Sequence, residues 1–235
     1  MSFAVEALSR PDETQIAAVR RLEADCRPHD GTQGSLPLDP SMNFDPDMPW
    51  CFLARAAGRL AGVLAVSAAA RDEAEISALV APEYRRQGCF RILFGEAVRQ
   101  LGGRGVTELR FPCDRQSDDG FEAAAALGGR ICRAVYTMRC RAGDQPPAEV
   151  GGLRLRRFGP KDAAAEAELS GRIFGLRPAG GGECVRPGIA PAGRTQYLVL
   201  LTGVPVGVAV VTRQGGEAVL RALGLVPEFR GQGLG

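Results

Sequence analysis

Residues 80–90 of the chain read Val-Ala-Pro-Glu-Tyr-Arg-Arg-Gln-Gly-Cys-Phe. A second stretch, Leu-Val-Pro-Glu-Phe-Arg-Gly-Gln-Gly-Leu-Gly over residues 225–235, repeats it, because both contain Pro-Glu-aromatic-Arg-x-Gln-Gly. Each copy follows an apolar run typical of a strand, and the first copy also opens a helical pattern. A strand, a glycine-bearing turn and a helix N-terminus present several backbone N–H groups to one point, where the helix dipole adds partial positive charge. The pattern therefore predicts a phosphate-binding loop at each copy.

This pattern, Pro-x-x-Arg-x-x-Gly-x-Gly/Ala after a strand, resembles the acetyl-CoA-binding loop of the GNAT N-acetyltransferase superfamily. The second copy matches it in full. The first copy matches it at Arg85 and Gly88, whereas Phe90 stands where the family usually has Gly or Ala. The Phe90 ring either fills space beside the diphosphate or points into the core from the first helical turn.

The resemblance implies that the diphosphate of acetyl-CoA lies on the loop amides and that the pantetheine arm runs along the preceding strand. The coenzyme-binding residues that it implies in the first copy are Val80, Arg85, Arg86, Gln87, Gly88, Cys89 and Phe90. In the second copy they are Leu225, Arg230, Gly231, Gln232, Gly233, Leu234 and Gly235. The backbone N–H of Val80, or of Leu225, would polarise the thioester carbonyl.

An amine that attacks a thioester directly must lose a proton, so the reaction needs a base or a water relay. Glu73 and Glu75 lie on the strand before the first loop, where the family often places such a carboxylate, and Glu75 is nearer the reaction end. The alternative is that both are solvated strand carboxylates. Tyr136 is the candidate acid for the leaving thiolate, or else a core or interface residue. Cys89 lies at a helix N-terminus, where a thiol can be activated, but no histidine partner is evident.

The order of predicted elements over residues 1–141 is strand, helix, long loop, three strands, phosphate loop, helix, strand, helix and strand. That order resembles a complete GNAT domain, an α/β fold with a mixed, mostly antiparallel sheet flanked by helices. Residues 142–151 form a linker by composition, and a similar order restarts over residues 152–235. We therefore predict a tandem repeat of one fold. We expect the second domain to contain only the first half of the fold. Either the sequence is truncated or, alternatively, this is a vestigial half-domain.

Three further segments of the first domain are assigned from their sequence patterns. Residues 12–25 read as the first helix, and the polar residues 26–50 read as an irregular loop, which in the family helps to form the wall of the acceptor site. Residues 131–141 alternate and are predicted as the last strand of the first domain. The candidate acceptor contacts in the loop are Phe44, Asp45, Asp47 and Trp50. The alternative is an ordinary packed surface loop.

Composition places the chain among soluble globular proteins, with 45% hydrophobic residues, 24% charged residues and a net charge of +2. This near-neutral balance gives no basic footprint for nucleic acid. No signal peptide or membrane-spanning run is evident. The seven cysteines form no C-x-x-C pair, which favours reduced thiols in the cytoplasm, and with one histidine a zinc site is not expected. We expect a cytoplasmic protein that binds no metal, nucleic acid or membrane.

The leading hypothesis is an N-acetyltransferase that moves an acetyl group from acetyl-CoA to a primary amine by direct attack in a ternary complex. The acceptor would be a small molecule or a protein amine, and a homodimer is one option for the assembly. The alternative is a non-catalytic acyl-CoA-binding or sensor module with the same fold. A nucleotide-binding protein is disfavoured, because no Gly-Lys-Ser/Thr follows either loop.

Overall fold

The structure is a computed structural model that describes residues 2–32, 34–136, 138–141, 151–174 and 193–234. The chain forms two compact units, Met1–Val135 and Tyr136–Gly235. Each unit has its own β-sheet.

The first unit is built on a five-stranded sheet in the order β1-β2-β3-β4-β5. Its strands are β1 (Ala4–Leu8), β2 (Cys51–Ala56), β3 (Arg59–Ser67), β4 (Glu73–Val80) and β5 (Glu108–Arg110). The first four strands pair antiparallel, whereas β5 is parallel to β4 and pairs with it from Glu73 to Glu75. β4 runs on to Val80, so within the described residues its C-terminal part pairs with β3 alone and has an open side.

The hairpin between β2 and β3 turns at Ala57 and Gly58, as the sequence predicts. Ala57 and Gly58 have φ values of 47° and 80°, as the tight turn that matches strand twist requires. Both strands are almost wholly apolar and buried, which is expected for central strands that are covered on two faces.

Three helices accompany this sheet: α1 (Glu13–Asp30), α2 (Cys89–Gly102) and α3 (Asp118–Ala126). α2 lies close against β3 at Gly62, where an added Cβ would be 2.9 Å from the Cys89 sulfur. Gly62 pairs with Val80 across the sheet. The start of α2 is therefore next to the end of β4.

The second unit repeats this arrangement as far as the loop after its last strand. Its elements are β6 (Leu153–Arg157), α4 (Ala163–Phe174), β7 (Arg194–Leu201), β8 (Val204–Gln214) and β9 (Glu217–Leu225). The strands pair antiparallel in the order β6-β7-β8-β9. Gly207 pairs with Leu225 as Gly62 pairs with Val80 in the first unit.

The strand predicted over residues 131–141 is wrong, because the described part of that segment has no strand. Ile131 and Val135 are 80% and 81% exposed. Alternation makes a strand only where a neighbouring edge offers partners, and β5 is short.

The first helix is longer than predicted and ends at Asp30. Cys26 continues the buried stripe of Val19 and Leu22, and Gly31 closes the helix with a left-handed backbone, φ 65°.

Candidate active site

The loop after β4 starts with a 3₁₀ turn at Pro82–Tyr84. The Arg85 N–H donates to the Pro82 carbonyl at 3.3 Å. The side-chain amide of Gln87 donates to the Glu83 carbonyl at 2.7 Å. These bonds fold the loop back on itself, so that the chain passes from the end of β4 directly into α2.

The loop after β9 makes the same set of bonds. It starts with a 3₁₀ turn at Pro227–Phe229. The Arg230 N–H donates to the Pro227 carbonyl at 3.1 Å, and the Gln232 amide donates to the Glu228 carbonyl at 3.0 Å. The repeat in the sequence is therefore also a repeat in backbone structure.

Each loop has two residues with left-handed backbone. Gly88 and Gly233, at φ 87° and 70°, are the residue type that adopts this conformation at little cost. At the other position the loops differ, because Gly231 has φ 74° whereas Arg86 has φ 58°. A residue with a side chain pays about 1–2 kcal/mol there. The first loop therefore contains strain that the second loop lacks.

The first loop leads into the N-terminus of α2, where several backbone N–H groups can donate to a ligand. The bond from the Ile92 N–H to the Gly88 carbonyl is 3.2 Å long. The N–H groups of Cys89, Phe90 and Arg91 come before it and have no acceptor within the helix. A Cβ on Gly88 would meet no described atom within 4 Å. Free donors, a helix dipole and open space together fit a phosphate group.

The end of β4 also presents backbone donors to its open side. The Ala81 N–H donates to the Ala61 carbonyl on β3 at 2.9 Å. Since neighbouring residues alternate in an antiparallel pair, the N–H groups of Ala78 and Val80 point away from β3. Leu225 occupies the same register in the second unit. An extended ligand arm could pair with this side of the strand.

The guanidinium group of Arg85 is bonded on several sides. Its Nε donates to the Val80 carbonyl at 3.0 Å. Its Nη1 and Nη2 donate to the two carboxylate oxygens of Asp30 at 2.6 and 2.9 Å. The side chains of Arg85 and Asp30 are only 18% and 15% exposed. The motif arginine therefore ties the end of β4 to the end of α1.

Electrostatics agree with this geometry. Burial raises the pKa of Asp30, but the hydrogen bonds from Arg85 and His29 outweigh burial and bring that pKa below its usual value. The hydrogen bond that Arg85 donates to Asp30 in turn raises the pKa of Arg85. Both groups are therefore charged at neutral pH.

Two carboxylates of α3 lie at the rim of the first loop. Asp119 is 3.1 Å from Arg85, and Glu122 is 2.6 Å from Arg86. Both acidic side chains are more than half exposed. A phosphate that entered the loop would compete with them for the arginines.

The two candidate bases on β4 have different surroundings. Glu73 pairs with Arg110 at 2.6 Å. Burial raises the pKa of Glu73, and the nearby Arg110 only partly offsets this effect. The side chain of Glu75, by contrast, takes part in no hydrogen bond or ion pair within the part of the chain that the structure describes. It pairs with Ser67 and, by alternation, lies on the face opposite Val80 and α2.

The remaining candidates of the first loop have structural surroundings. The Phe90 ring stacks on Phe94, with centroids 5.8 Å apart, and packs against the core. Cys89 is 1% exposed, and burial raises the pKa of its thiol to about 11, so the thiol is a packing group. Tyr136 is 84% exposed and lies outside any strand. No described contact places Tyr136 beside the loop, and its role stays a prediction.

The four candidate acceptor contacts all have partners within the first unit. Trp50 is buried, and the others are partly or largely exposed. Their partners are the Ser9 carbonyl for Trp50 (2.7 Å), Arg104 for Asp45 (3.2 Å), Arg10 for Asp47 (3.1 Å) and Arg71 for Phe44 (5.2 Å to the ring centroid). These contacts favour a packed loop over free acceptor ligands.

Sequence reasoning missed two acidic residues of α1. Glu23 is 3% exposed, accepts the Leu36 N–H and pairs with Arg20. It thereby holds the segment that follows α1. Asp30 anchors Arg85. The one local signal is that Asp30 ends a helix, where a negative charge is unfavourable unless a partner offsets it.

Within the described residues, no group of three or more His, Cys, Asp or Glu side chains could hold a metal ion. No helix in the same ranges has the length and apolar character that crossing a membrane requires.

Comparison with known proteins finds a family that matches the part of the chain containing this site. The Acetyltransferase (GNAT) family matches residues 16–122, which include the first loop and α2. No curated protein matches the chain.

Two solved structures resemble the whole chain. A GCN5-related N-acetyltransferase from Sphaerobacter thermophilus is 19% identical, with a TM-score of 0.69 over 99% of this chain and 78% of that chain. A tandem GNAT protein from the clavulanic acid biosynthesis pathway is also 19% identical, with a TM-score of 0.59 over 100% of this chain and 82% of that chain. The chain therefore has a tandem GNAT fold, and its residues 16–122 match the Acetyltransferase (GNAT) family.

Proposed function

We propose that the first unit binds acetyl-CoA and transfers its acetyl group to a primary amine. The observation that carries this proposal is the loop itself: left-handed Gly88 and the unpaired N–H groups at the start of α2 lie next to the open side of β4. The loop amides would hold the diphosphate, and the pantetheine arm would extend along β4. The loop lies within the part of the chain that matches the family.

The reacting groups in this proposal come from β4. The N–H of Val80 or Ala78 donates to the thioester oxygen as it gains negative charge. Glu75 accepts a proton from the attacking amine, directly or through a water. As the new C–N bond forms, the C–S bond breaks, and the coenzyme leaves as a thiolate that takes up a proton. Glu75 suits this role better than Glu73, which is engaged by Arg110.

The second loop is proposed as a further coenzyme site. It has the same turn, the same side-chain bond from Gln232 and glycine at both left-handed positions. The proposed acceptor is an amine, either of a small molecule or of a protein.

The test measures binding and turnover separately. Calorimetry with acetyl-CoA reports binding, and release of free thiol in the presence of a panel of amines reports transfer. We expect Glu75→Gln to lower kcat at least tenfold and to leave acetyl-CoA affinity unchanged, because general-base removal costs about 10²–10⁴ in rate. Glu73→Gln is the matched control, since it removes the neighbouring carboxylate of the same strand. Equal losses in both variants would refute the assignment of Glu75.

The competing function is an acyl-CoA-binding module without catalysis. Asp119 and Glu122 favour the non-catalytic module, because they form ion pairs with the arginines at the rim of the first loop. Acetyl-CoA binding without thiol release for any amine would support this second candidate. Absence of binding would refute both.

A further inference from the structure

We infer that Arg85 and Asp30 are positioning residues, which set the shape of the coenzyme loop through a clasp between β4 and α1 instead of binding the coenzyme with the guanidinium group. The clasp is defined as the bonds from Arg85 to the Val80 carbonyl and to both oxygens of Asp30. This inference rests on the proposed function for its meaning in catalysis, but the clasp can be tested without it.

The first line of support is the geometry of the arginine. Guanidinium groups that bind phosphates usually present two parallel N–H groups to the ligand. In Arg85 that fork is taken by the Asp30 carboxylate at 2.6 and 2.9 Å, and the Nε is taken by Val80. All sides of the fork are therefore engaged within the protein.

The second line of support is the repeat. Arg230 donates from Nε to the Leu225 carbonyl at 2.8 Å and from Nη2 to the Ile173 carbonyl at 3.0 Å. Ile173 lies near the end of α4, as Asp30 ends α1. The same link between a strand end and a helix end thus occurs twice, with a carboxylate as anchor in one unit and a backbone carbonyl in the other. Because the arginine makes the same link with two such different acceptors, its role is inferred to be the shaping of the loop.

The third line of support is the position of Asp30. A carboxylate at the C-terminus of a helix is disfavoured by the helix dipole, so this residue gains nothing from its own helix. Its side chain is 15% exposed and faces Arg85 and His29. The pairing with Arg85 accounts for a charge that would otherwise be unfavourable there.

The clasp and direct phosphate binding predict opposite results for Asp30→Asn. If Arg85 bound the phosphates, this change would free the guanidinium group and remove a competing negative charge, so acetyl-CoA would bind more tightly. If Arg85 acts through the clasp, the loop loses its anchor and acetyl-CoA binds about tenfold more weakly, since only the ordered fraction of molecules binds. The sign of the change therefore decides between the two roles.

The experiment compares Asp30→Asn with Asp119→Asn in the full chain. Asp119 also pairs with Arg85, but it is 56% exposed and is not part of the clasp. Amide hydrogen exchange without ligand is measured at Tyr84 and Arg85, whose N–H groups bond to Ala81 and Pro82. We expect about tenfold faster exchange at both amides in Asp30→Asn and no change in Asp119→Asn, because a lost charge-assisted bond is worth roughly that factor. Calorimetry should show about tenfold weaker acetyl-CoA binding in Asp30→Asn and no weakening in Asp119→Asn.

Three outcomes are informative. Tighter or unchanged acetyl-CoA binding in Asp30→Asn, with unchanged exchange, overturns the inference. If the wild-type chain binds no acetyl-CoA, the proposed function fails while the exchange rates still decide the clasp. If Asp30→Asn does not fold, Arg85→Lys replaces it, since lysine keeps the charge but cannot form the fork. Slow exchange at Tyr84 in that variant would also overturn the inference.

Discussion

The contact between α2 and β3 at Gly62 gives the sharpest test of how the loop is held. A Cβ at this position would lie 2.9 Å from the Cys89 sulfur, 3.1 Å from the Leu79 carbonyl oxygen and 3.2 Å from a Leu93 methyl carbon. Comfortable contacts are about 3.5–4.0 Å, so Gly62→Ala forces the first turn of α2 outward by roughly half an ångström. The amides that open α2 move with that turn.

The expected cost of Gly62→Ala follows from packing. Adding one carbon to a close-packed core costs about 1–3 kcal/mol, and three simultaneous close contacts place this site near 2 kcal/mol. Cys89→Ala removes the nearest of these atoms at a cost of about 1 kcal/mol by itself. We therefore expect the double variant to be about 1 kcal/mol more stable than the sum of the single changes predicts. Cys89→Ala is expected to recover only part of the stability that Gly62→Ala loses, because the close contacts with Leu79 and Leu93 remain.

Urea unfolding followed by tryptophan fluorescence measures these differences in the first unit alone. Trp50 is the single tryptophan and is 3% exposed within the core of that unit. With an m-value of about 2 kcal/mol per molar urea, Gly62→Ala should lower the midpoint by about 1 M. Gly95→Ala is the matched control, since a Cβ there meets nothing within 4 Å, and an exposed helix interior gains about 0.5–1 kcal/mol from alanine. Simple additivity of Gly62→Ala and Cys89→Ala would refute the argument.

Three further changes test the loop and its supports. Arg86→Gly should be about 1 kcal/mol more stable than Arg86→Ala in urea, because only glycine relieves the left-handed backbone. Asp30 has a lowered pKa in the folded state, so its pairing with Arg85 stabilises above the ordinary carboxyl pKa of about 4 and is lost as pH falls through the folded value. Urea midpoints of Asp30→Asn should therefore change less with acid than those of the wild type. Glu23→Gln should speed exchange of the Leu36 amide, since a charged acceptor is replaced by a neutral one.

Each of these expectations has a clear counter-result. Equal midpoints for the two Arg86 variants would mean that the left-handed backbone stores no strain. An acid dependence of Asp30→Asn identical to that of the wild type would remove the Arg85 pairing from the stability of the unit. An unchanged exchange rate at Leu36 would show that Glu23 does not hold that segment.

The predictions from sequence that are confirmed rest on local signals. The hairpin at Ala57 and Gly58 was predictable because a two-residue turn with positive φ favours small residues or glycine. The loop after β4 was predictable because proline, arginine and glycine occur at fixed offsets, and because the same offsets recur near residue 230. In both cases a few neighbouring residues determine the backbone.

The features that were missed depend on residues far apart in the chain. Asp30 and Arg85 are separated by 55 positions, and no local pattern links a helix end to a loop arginine. Residues 131–141 alternate as a strand would, yet whether they pair depends on the partners that the edge strand β5 offers, and the described residues of this segment are exposed. The contact between Asp30 and Arg85 and the incorrect strand at residues 131–141 therefore both depend on pairing between residues that are far apart in the sequence.

The two loops have the same backbone conformation, but their arginines donate to different kinds of acceptor. Arg85 donates to carboxylates, which satisfy its N–H groups and also cancel its charge. The hydrogen bonds of Arg230 go to the carbonyls of Leu225 and Ile173, which are neutral acceptors, and the carboxylate of Glu228 lies near enough to interact with its charge. For an anion of given size, the second loop therefore presents an arginine held by neutral acceptors, whereas the arginine of the first loop is held by carboxylates. Because the two loops share one backbone shape, we expect any difference in the coenzyme affinity proposed for them to include the electrostatics of these arginines and the strain at Arg86.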